Sequence, residues 1–394
     1  MTARSFSTPW TSFFFAQQSP VPVALFRIIY GVVVIATAAL LHADWLAWYG
    51  PHSWISAATM HLVEPGTRLN LFSVIPQTDF WVRALFWLLI ASAACLTIGL
   101  WTRLNTVLVF LCLTSIDQRN LFILHGGDTF LRVAGFFLIF APAGAALSVD
   151  RLMRIWRGKE GRAIRPRLPW AQRMTQLELA LLYLVSFWWK MKGGAWLEGT
   201  ALYYVFHLDE FQRFPIPSFF LRPAVLRVGS WLTLAAEFSL GALIWIKKLR
   251  YPLLAIGVLF HLTLEYSINV PMFQWDVLSA YVLFIEPADL ARVWNWIRAR
   301  SAKYFAERLT VIYDGASPRQ TRTANLLQTI DIFGRLSVVD QRDSPAHRAA
   351  EELQVATSAG MLRGPHAARA LARVIPLLWP TVPFLAFRRS STRN

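Results

Sequence analysis

Eight apolar runs, most of them near the ~20 residues a bilayer requires, constrain this chain more than any other feature. They fall at about Pro22–Leu41, Phe80–Leu100, Leu104–Ile116, Thr129–Leu147, Met174–Trp189, Leu226–Ile246, Pro252–Ile268 and Phe273–Ile285. With 55% hydrophobic and only 16% charged residues, the chain reads as a polytopic membrane protein. A formal net charge of +16 would suggest nucleic acid in a soluble protein. Here the basic residues cluster between apolar runs, as in loops that face anionic lipid, so no nucleic-acid partner is expected.

The loops set a topology. Between Asp150 and Arg173 stand Arg151, Arg154, Arg157, Lys159, Arg162, Arg165, Arg167 and Arg173, against only Asp150 and Glu160. The positive-inside rule makes this loop cytoplasmic. Alternation then places Arg103, the turn Lys247-Lys248-Leu249-Arg250 and everything after Pro287 on the same side, and all are basic. The expectation is eight spans with both termini cytoplasmic, in a bacterial cytoplasmic membrane. Cys95 and Cys112, the two cysteines, both lie in apolar runs, so neither a disulfide framework nor a cysteine metal site is expected.

The predicted fold is an all-α membrane domain over residues 20–287, after a lead-in over 1–19. A basic juxtamembrane helix over 288–308 and a small α/β cytoplasmic domain over 309–394 follow. In that tail, Leu309–Gly315 and Leu336–Val339 read as strands, and Arg319–Ile330, Ala346–Ser358 and His366–Ile375 as helices.

Polar residues inside apolar runs are costly, and so mark candidate sites. One group is Arg119 and Asn120 with Asp128 and Arg132, where an Arg132–Asp128 pair would merely glue helices. A second is Lys190 and Lys192, at the outer end of the fifth span and just before Trp196. Glu237 stands alone in the sixth span, and His261 and Glu265 lie one turn apart in the seventh. Together they can line one polar cavity, or each can be structural glue. The lysines admit two readings: snorkelling residues of an aromatic belt, or a base in a partly dry pocket. In the second, Lys192 supplies the cationic neighbour that makes Lys190 a base. No complete metal-ligand set and no phosphate loop is evident.

Residues 18–290 resemble the horizontally transferred transmembrane (HTTM) domain, the membrane part shared by vitamin K-dependent gamma-carboxylase and its bacterial relatives. The resemblance rests on Ala24-Leu25-Phe26-Arg27-Ile28 and on Arg119-Asn120 through Gly126-Gly127-Asp128. It rests further on Lys190 through Trp196-Leu197-Glu198-Gly199 and on His261 followed by Met272-Phe273. It implies a quinol-like, vitamin K-like cofactor or substrate. The carboxylase base falls on Lys190, with Lys192 as the alternative, and Glu237 falls where the carboxylase has an acid. The carboxylation histidine falls on Leu121, with His125 close but not equivalent. The carboxylase's extracytoplasmic peptide-binding domain is also not expected. Peptidyl-glutamate carboxylation is therefore not expected.

The tail resembles the DCC (thiol-disulfide oxidoreductase-like) domain, of thioredoxin-like fold, through Ile312-Tyr313-Asp314-Gly315 and the segment from Gly364 to Leu378. Where that family carries Asp-Gly-x-Cys-Pro-x-Cys, this chain has Asp314-Gly315-Ala316-Ser317-Pro318-Arg319-Gln320. Without a thiolate such a domain cannot exchange disulfides.

Two functions follow. One is an outward-facing intramembrane site acting on a quinol-like or other hydrophobic small molecule, with Lys190 as base. The other is a non-catalytic protein that binds membrane lipid or a partner, with the tail as an adaptor for a cytoplasmic protein.

Overall fold

A computed structural model describes residues 8–63, 65, 66, 69–304, 307–343, 353–358 and 360–381. It is mostly helical, with one small sheet near the C-terminus. The chain divides into two compact units, one of residues 1–147 and 166–285 and one of residues 148–165 and 286–394.

The first unit opens with α1 (Pro9–Phe15) and the long α2 (Val21–Leu41), followed by the short α3 (Trp45–Tyr49) and α4 (Ala57–Val63). Next come α5 (Asp79–Ile98), α6 (Thr102–Arg119) and α7 (Gly126–Phe140). The α5–α6 turn is tight because Gly99 adopts φ 71°, which lets its N–H and that of Leu100 close on carbonyls of the last α5 turn. After the chain passes through α8 (Val149–Trp156) of the second unit, α9 (Trp170–Met191) returns to the first. The short α10 (Gly194–Leu197) and α11 (Ala201–Phe206) lead to α12 (Pro223–Phe238), which continues as a π-helical turn, Ser239–Leu243. Helices α13 (Lys247–Ser267) and α14 (Phe273–Ser279) and a 3-10 turn, Ala280–Phe284, complete the unit.

Each of the eight apolar runs contains a helix, although that of the third runs on to Arg119, that of the fourth stops at Phe140, seven residues before its run ends, and the eighth run is half 3-10. Among the described residues, α2 and α5 are long and apolar enough to cross a membrane by length and composition alone. The helices on the other runs are shorter or carry more polar residues.

Phe26, Tyr30, Phe86, Leu89, Phe130 and Leu131 form the centre of the core. In lipid the helices gain little from burying apolar surface, so close contact and internal hydrogen bonds must hold them. Gly31 supplies such a contact: a Cβ there would fall 2.3 Å from Thr97 Oγ1 and 3.0 Å from the Ala93 carbonyl on α5. Arg27 supplies the hydrogen bonds. Wholly buried, it donates to the carbonyls of Ala143 at 3.0 Å, Thr97 at 3.3 Å and Leu147 at 2.6 Å. It is therefore bound internally and does not snorkel.

The second unit contains α15 (Pro287–Ser301), β1 (Leu309–Tyr313), α16 (Pro318–Ile330), β2 (Leu336–Asp340), β3 (Gln354–Thr357), β4 (Gly360–Leu362) and α17 (Gly364–Val374). The sheet order is β2-β1-β3-β4, with β1 and β2 parallel and the other pairs antiparallel. Leu309, Val311, Leu327, Val355 and Leu371 form its core. Leu152 of α8 packs against them, so the basic loop contributes a helix to this unit. The helix predicted over Ala346–Ser358 needs correction. Residues 344–352 lie outside those described, and Gln354–Thr357 is the strand β3, fixed by pairing with both β1 and β4.

Candidate functional site

Lys190 closes the last turn of α9, and Glu237 the last turn of α12. Packing of these two helices brings Lys190 Nζ to 2.7 Å from Glu237 Oε1. Ser186, one turn before Lys190, donates to the same oxygen at 3.0 Å and accepts from Nζ at 2.5 Å. The ring of Trp196 covers the ammonium, with its centroid 5.3 Å from Nζ. Glu237 is buried, whereas 24% of the Lys190 side chain still reaches the surface.

Lys192 is placed differently. Its ammonium lies over the rings of Trp188 and Trp189, at 5.2 and 4.4 Å, in an exposed aromatic patch. The charged neighbour of Lys190 is thus Glu237, and Lys192 has the surroundings of a belt residue.

His261 is buried at the centre of a hydrogen-bonded chain. Its Nε2 lies 2.6 Å from Tyr183 Oη, and Tyr183 Oη lies 2.7 Å from Tyr281 Oη. Its Nδ1 lies 2.5 Å from Gln274 Oε1. Because the amide oxygen can only accept, Nδ1 carries the proton and Nε2 accepts from Tyr183. Gly257 makes room: a Cβ there would fall 2.2 Å from Tyr281 Oη. Glu237 is among the charged neighbours of Tyr183, which links this chain to the Lys190 pair.

The remaining candidates hold the framework together. Glu265 pairs with Arg213 and accepts from Trp275 Nε1 at 3.2 Å, tying the loop after α11 to α13. Arg119 donates to the Ile55 carbonyl at 3.0 Å and to Ser53 Oγ at 2.6 Å. Asn120 Oδ1 accepts from Phe122 N at 3.1 Å. Asp128 accepts from His125 N at 2.9 Å in the capping box that starts α7. Arg132 pairs with Asp117 at 3.0 Å, not with Asp128.

The candidates therefore form several groups. A separate apolar cavity of about 840 Å³ lies between α12 and α13, lined by Leu202, Phe219, Gly229, Ala236, Phe260 and Leu264 among others. None of the candidate residues lines it, although Ala236 adjoins Glu237 and Phe260 adjoins His261. Sequence reasoning missed Ser186, Tyr183 and Tyr281, which resemble ordinary helix residues. It also missed Glu178 and Asp276, two further acids within apolar runs, where the intramembrane charge itself was the available signal, and gave no role to Asp117 just past the third run. Among the described residues no group of three His, Cys, Asp or Glu side chains is arranged to hold a metal ion.

Apolar helices that turn ion pairs and a histidine chain inward define a membrane protein with polar sites inside its helical unit. The HTTM domain family matches residues 15–288, and the chain belongs to that family. It is also similar to the sporulation-delaying protein SdpB of Bacillus subtilis (strain 168), with 28% identity over 128 residues. That match covers 31% of this chain and 39% of SdpB, so the similarity spans well under half of the relative's length. No solved structure matches the chain.

Proposed function

We propose that the Lys190–Ser186–Glu237 group is the proton-handling site of a multi-pass membrane protein acting on a hydrophobic, quinol-like molecule. The observation that carries this reading is the part-buried ion pair roofed by Trp196. A proton passing from the Lys190 ammonium to the Glu237 carboxylate during the reaction leaves a neutral amine and a neutral acid. The amine is then a base for a substrate hydroxyl, and no cationic neighbour is needed. The apolar cavity beside α12 suits the tail of such a molecule. The eight helices are taken as spans, with both termini and the basic loop cytoplasmic.

The second reading is a lipid- or partner-binding protein without catalysis, with a thioredoxin-like, cysteine-free tail as adaptor. It is favoured by the short Lys190–Glu237 contact, which is also what a structural pair between two helices needs.

Quinol oxidation by the purified protein in nanodiscs separates the two. The enzyme reading expects turnover that is lost in Lys190→Ala and retained in Lys192→Ala. Absence of turnover in the unaltered protein rules it out for quinols, and equal loss in both variants removes the special role of Lys190.

A further inference from the structure

We infer that Asp276 of α14, packed against the first turn of α7, is an intramembrane proton-binding site whose exchange partner is Asp128. The inference uses none of the residues of the Lys190 group. Asp276 is only 1% exposed, and neither of its carboxylate oxygens has a hydrogen-bond partner. It lies flush against the start of α7, where a Cβ on Gly127 would fall 2.3 Å from Asp276 Oδ2. The nearby donors are committed elsewhere. Gly127 N donates to His125 Nδ1 at 3.0 Å, and His125 Nε2 lies 3.0 Å from the Pro271 carbonyl.

The surrounding charge is mostly acidic. Asp128 on α7 is a charged neighbour of both Asp276 on α14 and Asp117 on α6. Tyr30 on α2 has Glu178 of α9, Asp117 and Asp276 as charged neighbours. Against these four acids stand two arginines. Arg132 is paired with Asp117, and Arg119 is bonded to Ser53 and the Ile55 carbonyl. From α13 the titratable group is His261, bound to Gln274 and Tyr183.

A separate observation marks the same place. Tyr49 is wholly buried, its hydroxyl has no partner, and its charged neighbours include Asp117 and Asp128. A buried hydroxyl without a partner is uncommon in a folded protein.

An isolated carboxylate in such surroundings costs far more than a carboxylic acid, and neighbouring carboxylates cannot all remain ionised. A proton neutralises such a carboxylate without further ligands. The side chain of Asp128 is 19% exposed, which gives it contact with water that Asp276 lacks. A proton taken up on Asp128 passes to the Asp276 carboxylate and leaves by the reverse step, with no change in oxidation state.

Dicyclohexylcarbodiimide, which adds to protonated carboxyls in apolar surroundings, tests this on the full chain in nanodiscs, with adducts located by peptide mass. The expected result is an adduct on Asp276 whose formation falls about tenfold or more between roughly pH 6 and pH 9. Asp128→Asn removes a like charge, so at fixed pH the Asp276 adduct should form at least about threefold more slowly. Infrared spectra of the unaltered protein should show a protonated carboxyl band that disappears over the same pH range, which does not depend on any variant folding. A missing band together with a missing adduct overturns the proposal. So does suppression of the adduct by sodium at constant pH and ionic strength, which would make the site one for a metal cation.

Discussion

Lys190 Nζ and Glu237 Oε1 meet at 2.7 Å, joining the ends of two helices whose residues lie 47 positions apart in the chain. Removing one partner strands the other. Lys190→Met leaves the Glu237 carboxylate uncompensated and should destabilise the protein by about 2 kcal/mol, below the range for fully buried pairs because part of Lys190 is solvated. The double variant Lys190→Met/Glu237→Leu should recover part of that loss. Thermal unfolding in nanodiscs measures both, and a double variant no more stable than the single one would show that the pair is not coupled.

Arg27 gathers carbonyls from α5 and from the segment after α7. Arg27→Leu abandons all three and should cost roughly 3–5 kcal/mol, since the vacated buried acceptors lose their donor. Arg27→Lys should recover little, because one ammonium cannot reproduce the planar fork. Equal stability of the Lys variant and the unaltered protein in a denaturation series would contradict this.

Gly31→Ala places a methyl group against the α5 backbone, and no side-chain rotation relieves the 3.0 Å approach to the Ala93 carbonyl. A cost of about 1–3 kcal/mol is expected, seen as a lower midpoint in thermal unfolding. An unchanged midpoint would mean that α2 and α5 separate without penalty.

The helices were legible from apolar runs because a run of that length has few alternatives in lipid. The second run ends at Leu100, one residue past Gly99, whose left-handed backbone ends α5. Lys190 and Glu237 each stood out as ionisable groups in apolar surroundings, but their pairing depends on how α9 and α12 pack. Ser186 was invisible for the same reason: only the completed contact distinguishes it from any other serine on a helix. Asp276 went unread because Gln274 and Trp275 beside it resemble the polar and aromatic start of a span. Strand β3 was misread because local helix preference in Ala346–Ser358 yields to ladder pairing with β1, which local sequence does not encode.

In the second unit, Arg342 hydrogen-bonds to Asp340 and holds its carboxyl down at about 2. Because the folded value lies below the ordinary ~4 of an unfolded aspartate, the contact adds stability above that value. It is lost as pH falls through the folded one. Carboxyl carbon shifts of Asp340 should therefore stay constant from neutral pH to about pH 4, and Arg342→Ala should move the titration upward. A titration unchanged by Arg342→Ala would show that the arginine does not hold the carboxyl down.

Glu160 accepts from Arg154 at 2.7 Å and lies 3.4 Å from Arg151, both on α8. Glu160→Gln should loosen the segment after α8 and speed tryptic cleavage at Arg162 and Arg165 several-fold, which a digestion time course would detect. An unchanged cleavage rate would show that this ion pair does not order the loop.

Helix α8 belongs to a unit whose other members begin at residue 286. During synthesis it therefore leaves the ribosome long before β1 or α16 exists to receive Leu152. Its amphipathic surface stays without its final neighbours while α9 through α14 are made, so the second unit can close only after nearly the whole first unit has been translated. Completion of the C-terminal sheet is thus a late checkpoint on the basic loop, and a chain stalled early would display that loop unfinished.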